Sequence, residues 1–162
     1  MAKVVALIAS ALCILAIAGF AQSQKDDFVV KGQVYCDTCR VLFPTKISTS
    51  IAGAGVELKC RSRDNDTETY SAKSQTDETG SYEITVDGDH QDDICEVNTV
   101  LSPDPTCVQQ PPEISSARVT LAENTGMESN VRFANPIGFR GDKALPDCVK
   151  VLQDLDLNPE MI

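Results

Sequence analysis

Apolar and polar residues alternate along much of the chain after residue 27, a pattern typical of short β-strands with one buried face. In the first such segment, Val30, Val34 and Cys36 fall on one side, and Tyr35 falls on the other side with polar residues. Seven segments have this character, namely residues 28–36, 56–60, 68–74, 81–86, 93–101, 116–121 and 130–134. Turn-forming residues such as TDETG separate them. The pattern predicts a single all-β domain, built as an antiparallel β-barrel or β-sandwich.

The C-terminal segment has helical rather than alternating periodicity. In DCVKVLQDLDL, Val149, Leu152 and Leu155 recur at the spacing of one helix face. We therefore expect a short C-terminal helix, tied to the domain by Cys148. The proline-rich segment that precedes it, residues 102–113, is predicted to be a long loop.

The first 23 residues have the three parts of a secretory signal peptide. Lys3 gives a positive start, an uncharged apolar run extends from Val4 to Gly19, and small residues follow. The run is shorter than the roughly 18 apolar residues of a membrane-spanning helix. The pattern predicts cleavage after Ala21 or Ser23 and release of residues 24–162 as a soluble domain. This domain is expected in the extracellular space or cell wall, without membrane insertion.

Loss of the signal peptide makes the chain slightly more acidic. Removal of Lys3 moves the formal net charge from −10 to −11. A nucleic-acid-binding protein needs clustered Lys and Arg for phosphate contacts, so nucleic acid is not an expected partner. Aromatic residues are only 5% of the chain, which suggests that cross-links supplement a core of moderate size.

The segment CDTC, from Cys36 to Cys39, admits three interpretations. A redox motif needs an active-site helix after the strand, and a zinc site needs a second cysteine pair or paired histidines. The sequence predicts no such helix, and His90 is its one histidine. Of seven cysteines, Cys13 lies in the predicted signal peptide, and the remaining six form an even set. A disulfide framework is the favoured interpretation, although six cysteines allow 15 pairings and spacing selects none of them.

The segment GQVYCDTCR resembles the signature of the olive-pollen-allergen and extensin family, of Ole e I type. Further similar segments follow in the same order, namely AGAGVELKCR, TDETGSYEITV, GDHQDDICEV, LSPDPTC, ANPIGF and ALPDC. The resemblance covers essentially all of the chain after the signal peptide. It implies the disulfides Cys36–Cys107, Cys39–Cys148 and Cys60–Cys95, and a seven-stranded antiparallel β-barrel or sandwich.

The resemblance also implies a function. Members of the family are non-enzymatic proteins, secreted by pollen or other plant tissues and linked to pollen hydration and pollen-tube growth. Close relatives act as extracellular ligands of receptor kinases, and several are allergens. We therefore expect a partner among plant receptor-kinase ectodomains. The alternative is a structural protein that associates with cell-wall polymers, although the chain lacks the Ser-Pro repeats of extensin rods.

Two further segments contain candidate sites. His90 lies in an acidic turn with Asp87, Asp89, Asp92 and Asp93, where catalysis, pH sensing and calcium binding are the alternative roles. We interpret it as a polar turn residue, because no catalytic partner or calcium-loop spacing accompanies it. No catalytic residue, metal or cofactor is predicted. Asn65 begins the one N-x-[ST] sequon, in a polar segment between two strands, and is a predicted glycosylation site.

Overall fold

The computed structural model describes residues 27–123 and 125–158 of the chain. The predicted signal peptide, residues 1–23, lies outside the described residues, as do its cleavage positions at Ala21 and Ser23 and the cysteine Cys13. None of the helices in the described part is long and apolar enough to cross a membrane.

Nine strands and two short helices form the described fold. In chain order they are β1 (Phe28–Asp37), β2 (Thr49–Ser50), β3 (Gly55–Ser62), β4 (Glu68–Gln75), β5 (Ser81–Val86), β6 (Asp93–Leu101), α1 (Pro112–Ser115), β7 (Ser116–Val119), β8 (Val131–Phe133), β9 (Ile137–Arg140) and α2 (Cys148–Asp154). Each of the seven predicted strands is present. The expectation of seven strands in total is nevertheless wrong, because β2 and β9 are additional.

The strand β1 is the centre of a five-stranded sheet. On one edge it pairs antiparallel with β5 and then with β2. On the other edge it pairs in parallel with β8 and then with β9. On the antiparallel edge, Val34 lies where pairing changes from β5 to β2. Its backbone N–H donates to the carbonyl oxygen of Gly80, just before β5, and its carbonyl oxygen accepts from the N–H of Ile51, just after β2. These two parallel pairings correct the expectation of a purely antiparallel architecture.

The remaining strands form a four-stranded antiparallel sheet in the order β4-β3-β6-β7. Its central pair, β3 and β6, places Leu58 opposite Val97 and Cys60 opposite Cys95. The chain passes between the two sheets four times in the described part, once in the turn between β4 and β5. The two sheets are not closed into a barrel, so the sandwich rather than the barrel describes the fold.

The core lies between the two sheets, where the alternating apolar positions of both are buried. Its largest fully buried side chains include Phe28, Leu58, Val86, Val97, Ile137 and Phe139. Tyr35 was predicted on the polar side of β1, but it is only 6% exposed, because its ring covers Gly138 of the neighbouring β9. Burial raises the pKa of Tyr35 to about 12, and the nearby Asp37 carboxylate adds to this shift.

The predicted C-terminal helix is confirmed as α2, although its buried face differs from the predicted one. Cys148, Val151 and Leu152 are buried, whereas Val149 and Leu155 are exposed. The physical reason is the covalent anchor. Because Cys148 is the first residue of α2, its disulfide fixes which side of this short helix faces the domain.

Candidate functional site

Three disulfides cross-link the domain. They are Cys36–Cys107, Cys39–Cys148 and Cys60–Cys95, the pairs that the family resemblance implies. Their partners are 71, 109 and 35 residues apart in sequence. Loops of these lengths correspond to about 4–5 kcal/mol of stabilisation each in the chain-entropy account of disulfides. Cys36 and Cys39 are not bonded to each other, so CDTC holds two separate anchors.

The loop that follows β1 is also held by side-chain hydrogen bonds. Asp37 is fully buried, and its carboxylate accepts hydrogen bonds from the backbone N–H groups of Val41 (3.1 Å) and Leu42 (2.8 Å). Arg40 and Leu42 adopt left-handed conformations with φ of 59° and 66°. The Arg40 guanidinium donates to the carbonyl oxygen of Gly141 beyond β9. The arrangement makes the double-cysteine segment a rigid structural junction.

The His90 side chain lies against a disulfide rather than in solvent. His90 is in a turn, as predicted, and its side chain is only 11% exposed. Its ring packs beside that of Tyr70, with centroids 5.1 Å apart. One ring nitrogen of His90 lies within 4.8 Å of the Cys60 and Cys95 sulfur atoms, which are bonded to each other in a disulfide. Among the described residues, this is the one such group of three or more His, Cys, Asp or Glu.

A carboxylate and a hydroxyl orient the His90 ring. Asp93 Oδ2 lies 2.9 Å from His90 Nδ1, and the Thr69 hydroxyl donates to the same oxygen at 2.7 Å. The Thr69 hydrogen bond lowers the pKa of Asp93; partial burial opposes this shift, and the His90 hydrogen bond adds to it. His90 Nε2 is buried and has no hydrogen-bond partner in the described part of the protein.

The predicted glycosylation site lies in an exposed turn between β3 and β4. The side-chain oxygen of Asn65 accepts hydrogen bonds from the backbone N–H of Thr67 (3.2 Å) and from its hydroxyl (2.7 Å). Asn65 and Thr67 are both exposed. The amide nitrogen that would carry a glycan is therefore accessible, and glycosylation of Asn65 remains a prediction.

An open cleft of about 730 Å³ lies where the end of β4 meets β1, β5 and β8. Its lining includes Tyr82, Phe133, Ser74 and Gln75. A second depression of about 400 Å³ shares Ser74 and Gln75 and is also lined by Leu101. Phe133 is 78% exposed and Leu101 is 66% exposed, the two highest values among large apolar side chains in the described ranges. We call Phe133, Ser74, Gln75 and Leu101 the Phe133–Leu101 face.

In strand β8 a charged residue is buried and the aromatic residue next to it is exposed, the reverse of the usual placement. Arg132 is only 4% exposed, and its guanidinium stacks 4.8 Å above the ring of the buried Phe28. It also donates to the carbonyl oxygen of Ala122 at 3.1 Å. Because neighbouring residues of a strand point to opposite faces, burial of Arg132 directs Phe133 outward.

The cleft beside Phe133 is lined by both polar and apolar groups. At its rim, Lys31 Nζ lies 2.7 Å from a carboxylate oxygen of Glu83, and the Ser74 hydroxyl donates to the Glu83 carbonyl at 2.9 Å. At its floor, the Tyr82 hydroxyl is buried without a hydrogen-bond partner in the described ranges, and this burial raises the pKa of Tyr82. The face therefore combines two exposed apolar groups with hydrogen-bonding groups between them.

The fold and this face define a class of protein, a disulfide-bonded two-sheet β domain with an exposed apolar surface. The family model described as "Pollen protein Ole e 1 like" matches residues 26–156, and the chain belongs to this family.

Two curated relatives and one solved structure show the extent of the similarity. The chain is 48% identical to the "Olee1-like protein" of Betula pendula over 163 residues, covering 99% of this chain and 98% of that protein. It is 45% identical to the "Anther-specific protein LAT52" of Solanum lycopersicum over 159 residues, covering 98% of each. The crystal structure of the major plantain pollen allergen Pla l 1 has a TM-score of 0.69 at 33% identity, covering 76% of this chain and all of that one.

These similarities support a coarse functional statement. The chain is a pollen-type protein of a family that includes pollen allergens, and allergenicity is a property of its relatives by name. None of the three names above is that of an enzyme.

Two features of the site were not predicted from the sequence. The contact of His90 with Cys60 and Cys95 depends on the pairing of β3 with β6, which no local pattern reveals. The exposure of Phe133 had one detectable signal, the adjacent arginine in a segment that otherwise resembles a strand.

Proposed function

We propose that this protein is a secreted, non-enzymatic ligand that binds the ectodomain of a plant receptor kinase during pollen hydration and pollen-tube growth. The single observation that carries the proposal is the reversed burial of two neighbouring side chains in β8. It buries Arg132 and exposes Phe133 at the edge of a cleft. Arrangements that leave a large aromatic side chain in solvent are common at protein-binding surfaces, where aromatic residues contribute much of the affinity.

The composition of the Phe133–Leu101 face favours a protein partner. Its apolar groups are separated by Ser74 and Gln75, whose side chains offer both donors and acceptors. A mixed surface of this kind matches an interface with apolar anchors and a polar rim. Each residue of the face lies on a strand that is paired in a sheet, so the backbone of the face is ordered before binding and binding costs little conformational entropy.

The test is direct binding of the oxidised protein to a panel of receptor-kinase ectodomains from pollen. The immobilised protein should retain at least one ectodomain in a saturable manner. We expect Phe133→Ser to weaken this binding by about tenfold or more, because an anchor residue contributes roughly 2 kcal/mol.

Leu155→Ser is the matched control, because Leu155 is 50% exposed but follows α2, outside both depressions. It should leave binding unchanged. Equal effects of the two substitutions would contradict the role of the face, and no saturable binding to any ectodomain would contradict the proposed function. Co-sedimentation with purified wall polysaccharide in that case would favour the alternative function, association with cell-wall polymers.

A further inference from the structure

The outer face of three adjacent strands, β8, β1 and β5, forms one wall of the cleft beside Phe133. Phe133 of β8 is opposite Lys31 of β1, and Lys31 is opposite Glu83 of β5. One step along the sheet, Gln33 is opposite Ser81. Because residues two apart in a strand point to the same side of the sheet, these five side chains lie on one surface, and all five residues line the cleft.

The charged side chains of this cleft already have partners within the protein. Lys31 Nζ lies 2.7 Å from a carboxylate oxygen of Glu83. The Asp77 carboxylate accepts hydrogen bonds from Thr79 and Ser81 in its own turn. Lys31, Asp77 and Glu83 are the charged residues of the lining. A charged ligand would have to break these strong, charge-assisted contacts, whereas a neutral ligand leaves them intact.

The cleft offers a ligand one aromatic face and several neutral hydrogen-bonding groups. The Phe133 side chain is 78% exposed. Gln33 and Gln75 are also exposed, and their amides provide both donors and acceptors. Tyr82 is only 3% exposed, and its hydroxyl has no hydrogen-bond partner in the described part of the chain. Since buried polar groups nearly always have a partner, this hydroxyl calls for an ordered water or a ligand hydroxyl.

A pyranose ring has the complementary chemistry. One side of the ring presents C–H groups, which pack on the electron-rich face of an aromatic side chain. The hydroxyls at its rim both donate and accept hydrogen bonds, as side-chain amides do. We propose that the cleft binds a neutral, linear oligosaccharide of the plant cell wall, with one pyranose ring stacked on Phe133 and hydroxyls hydrogen-bonded to Gln33.

The shape of the cleft fits a linear chain of sugars. Its volume of about 730 Å³ lies within the usual range of ligand pockets, roughly 300–1,000 Å³. The second depression, of about 400 Å³, shares Ser74 and Gln75 with it and reaches Leu101. The one charged residue that lines this second depression, Lys73, also has a partner, since its Nζ lies 3.5 Å from a Glu57 carboxylate oxygen. The two depressions therefore form one open, elongated path whose charges are paired.

This proposal goes beyond the receptor contact and does not depend on it. The experiment contains only the protein and a sugar, so failure to bind sugar leaves the proposed receptor contact standing. Failure to bind any ectodomain likewise leaves the oligosaccharide site standing.

The first test is a titration of the oxidised chain from residue 24 with neutral, linear, β-linked tetrasaccharides of glucose, xylose and galactose, followed by backbone amide chemical shifts. At least one of them should cause saturable shifts in β8, β1 and β5, and none in β3 and β6 around Cys60 and Cys95. A linear tetragalacturonate, which is acidic, and a branched mannose glycan are the comparison ligands and should cause no saturable shifts. Absence of saturable shifts with all three neutral tetrasaccharides, or binding of a comparison ligand alone, would overturn the proposal.

Variants of Phe133 test the stacking contact, and the exposure of this side chain means that they leave the core unchanged. Phe133→Leu keeps an apolar side chain but removes the aromatic face, and it should weaken oligosaccharide binding by about tenfold. Phe133→Tyr keeps the aromatic face and should bind within about twofold of the wild type. Wild-type affinity in Phe133→Leu, or equal losses in both variants, would overturn the stacking arrangement.

Gln33→Ala tests the hydrogen bonds of the cleft. It should weaken binding by about fivefold, as expected for the loss of one hydrogen bond to a ligand hydroxyl. Leu155→Ser is the control, because Leu155 lies outside both depressions, and it should bind the oligosaccharide like the wild type. Equal affinities of Gln33→Ala and Leu155→Ser would contradict the role of Gln33 in the site.

Discussion

The turn from residue 76 to residue 80 carries the chain from one sheet to the other. The Asp77 carboxylate accepts hydrogen bonds from the Thr79 hydroxyl (2.6 Å) and from the backbone N–H groups of Thr79 (2.8 Å) and Ser81 (3.0 Å). These bonds lower the pKa of Asp77, with the Thr79 hydroxyl as the largest cause. At the end of the turn, Gly80 has a φ of +77°, and its carbonyl oxygen accepts a hydrogen bond from Val34 of β1.

Gly80→Ala is expected to destabilise the protein strongly. A Cβ at this position would lie 2.7 Å from the Ser50 Cβ and 2.9 Å from the Val34 carbonyl oxygen, in addition to the unfavourable φ. We expect a loss of about 3 kcal/mol or more, since the positive φ costs roughly 1 kcal/mol and overpacking 1–3 kcal/mol. Urea unfolding with the disulfides intact measures the change.

Gly126→Ala is the matched control for this substitution. Gly126 has a φ of +76°, but a Cβ there would have no neighbour within 4 Å. It should lose only about 1 kcal/mol, the cost of the backbone conformation alone. Similar losses of unfolding free energy in both variants would show that the close contact with Ser50 and Val34 does not contribute to the destabilisation.

At the scale of elements, alternation predicted the strands whose two faces differ and failed where they do not. SYEITV has buried and exposed residues in turn, and β5 has the predicted bounds. In β9, Ile137, Gly138 and Phe139 are all buried, so no alternation is present to detect. The strand β2 has only two residues, too few for any pattern.

The candidate sites follow the same division between local and long-range information. The exposed turn at Asn65 was predictable, because a polar segment between two strands is a local signal. The neighbours of His90 come from β3, β4 and β6, and the register of these paired strands brings them together. The buried face of α2 also depends on a distant residue, Cys39, through its disulfide.

The Cys39–Cys148 disulfide is expected to control the local stability of α2. Only Cys148, Val151 and Leu152 of this helix are buried, so few apolar contacts hold it without the cross-link. In the double variant Cys39→Ser with Cys148→Ser, the α2 amides should lose most of their protection from hydrogen exchange, whereas those of β3 and β6 should remain protected.

The comparison is the double variant Cys60→Ser with Cys95→Ser, which leaves the α2 anchor intact. It should weaken protection in β3 and β6 more than protection in α2, because these strands lose their own cross-link. Unchanged protection of α2 without Cys148 would show that packing alone positions the helix.

At the scale of the whole molecule, β4 separates the predicted glycosylation site from the Phe133–Leu101 face. Asn65 lies in the turn before Glu68, the first residue of β4, and Gln75 is the last residue of this strand. A strand of eight residues spans about 25 Å at roughly 3.3 Å per residue. The disulfide beside His90 lies toward the Asn65 end, since Cys60 pairs with Tyr70 near the start of β4. Glycosylation and the proposed receptor contact therefore do not compete for one surface.

This separation predicts that loss of the glycan leaves ectodomain binding intact. Asn65→Gln and Thr67→Ala both destroy the sequon, and each should lower the intact mass of the secreted protein by one glycan. Thr67→Ser keeps the sequon and should retain the glycan. All three variants should bind a receptor-kinase ectodomain with the affinity of the wild type, in contrast to Phe133→Ser. An unchanged mass in Asn65→Gln would show that Asn65 carries no glycan. Weaker binding by both glycan-free variants, but not by Thr67→Ser, would place the glycan in the interface and contradict the assignment of binding to the Phe133–Leu101 face alone.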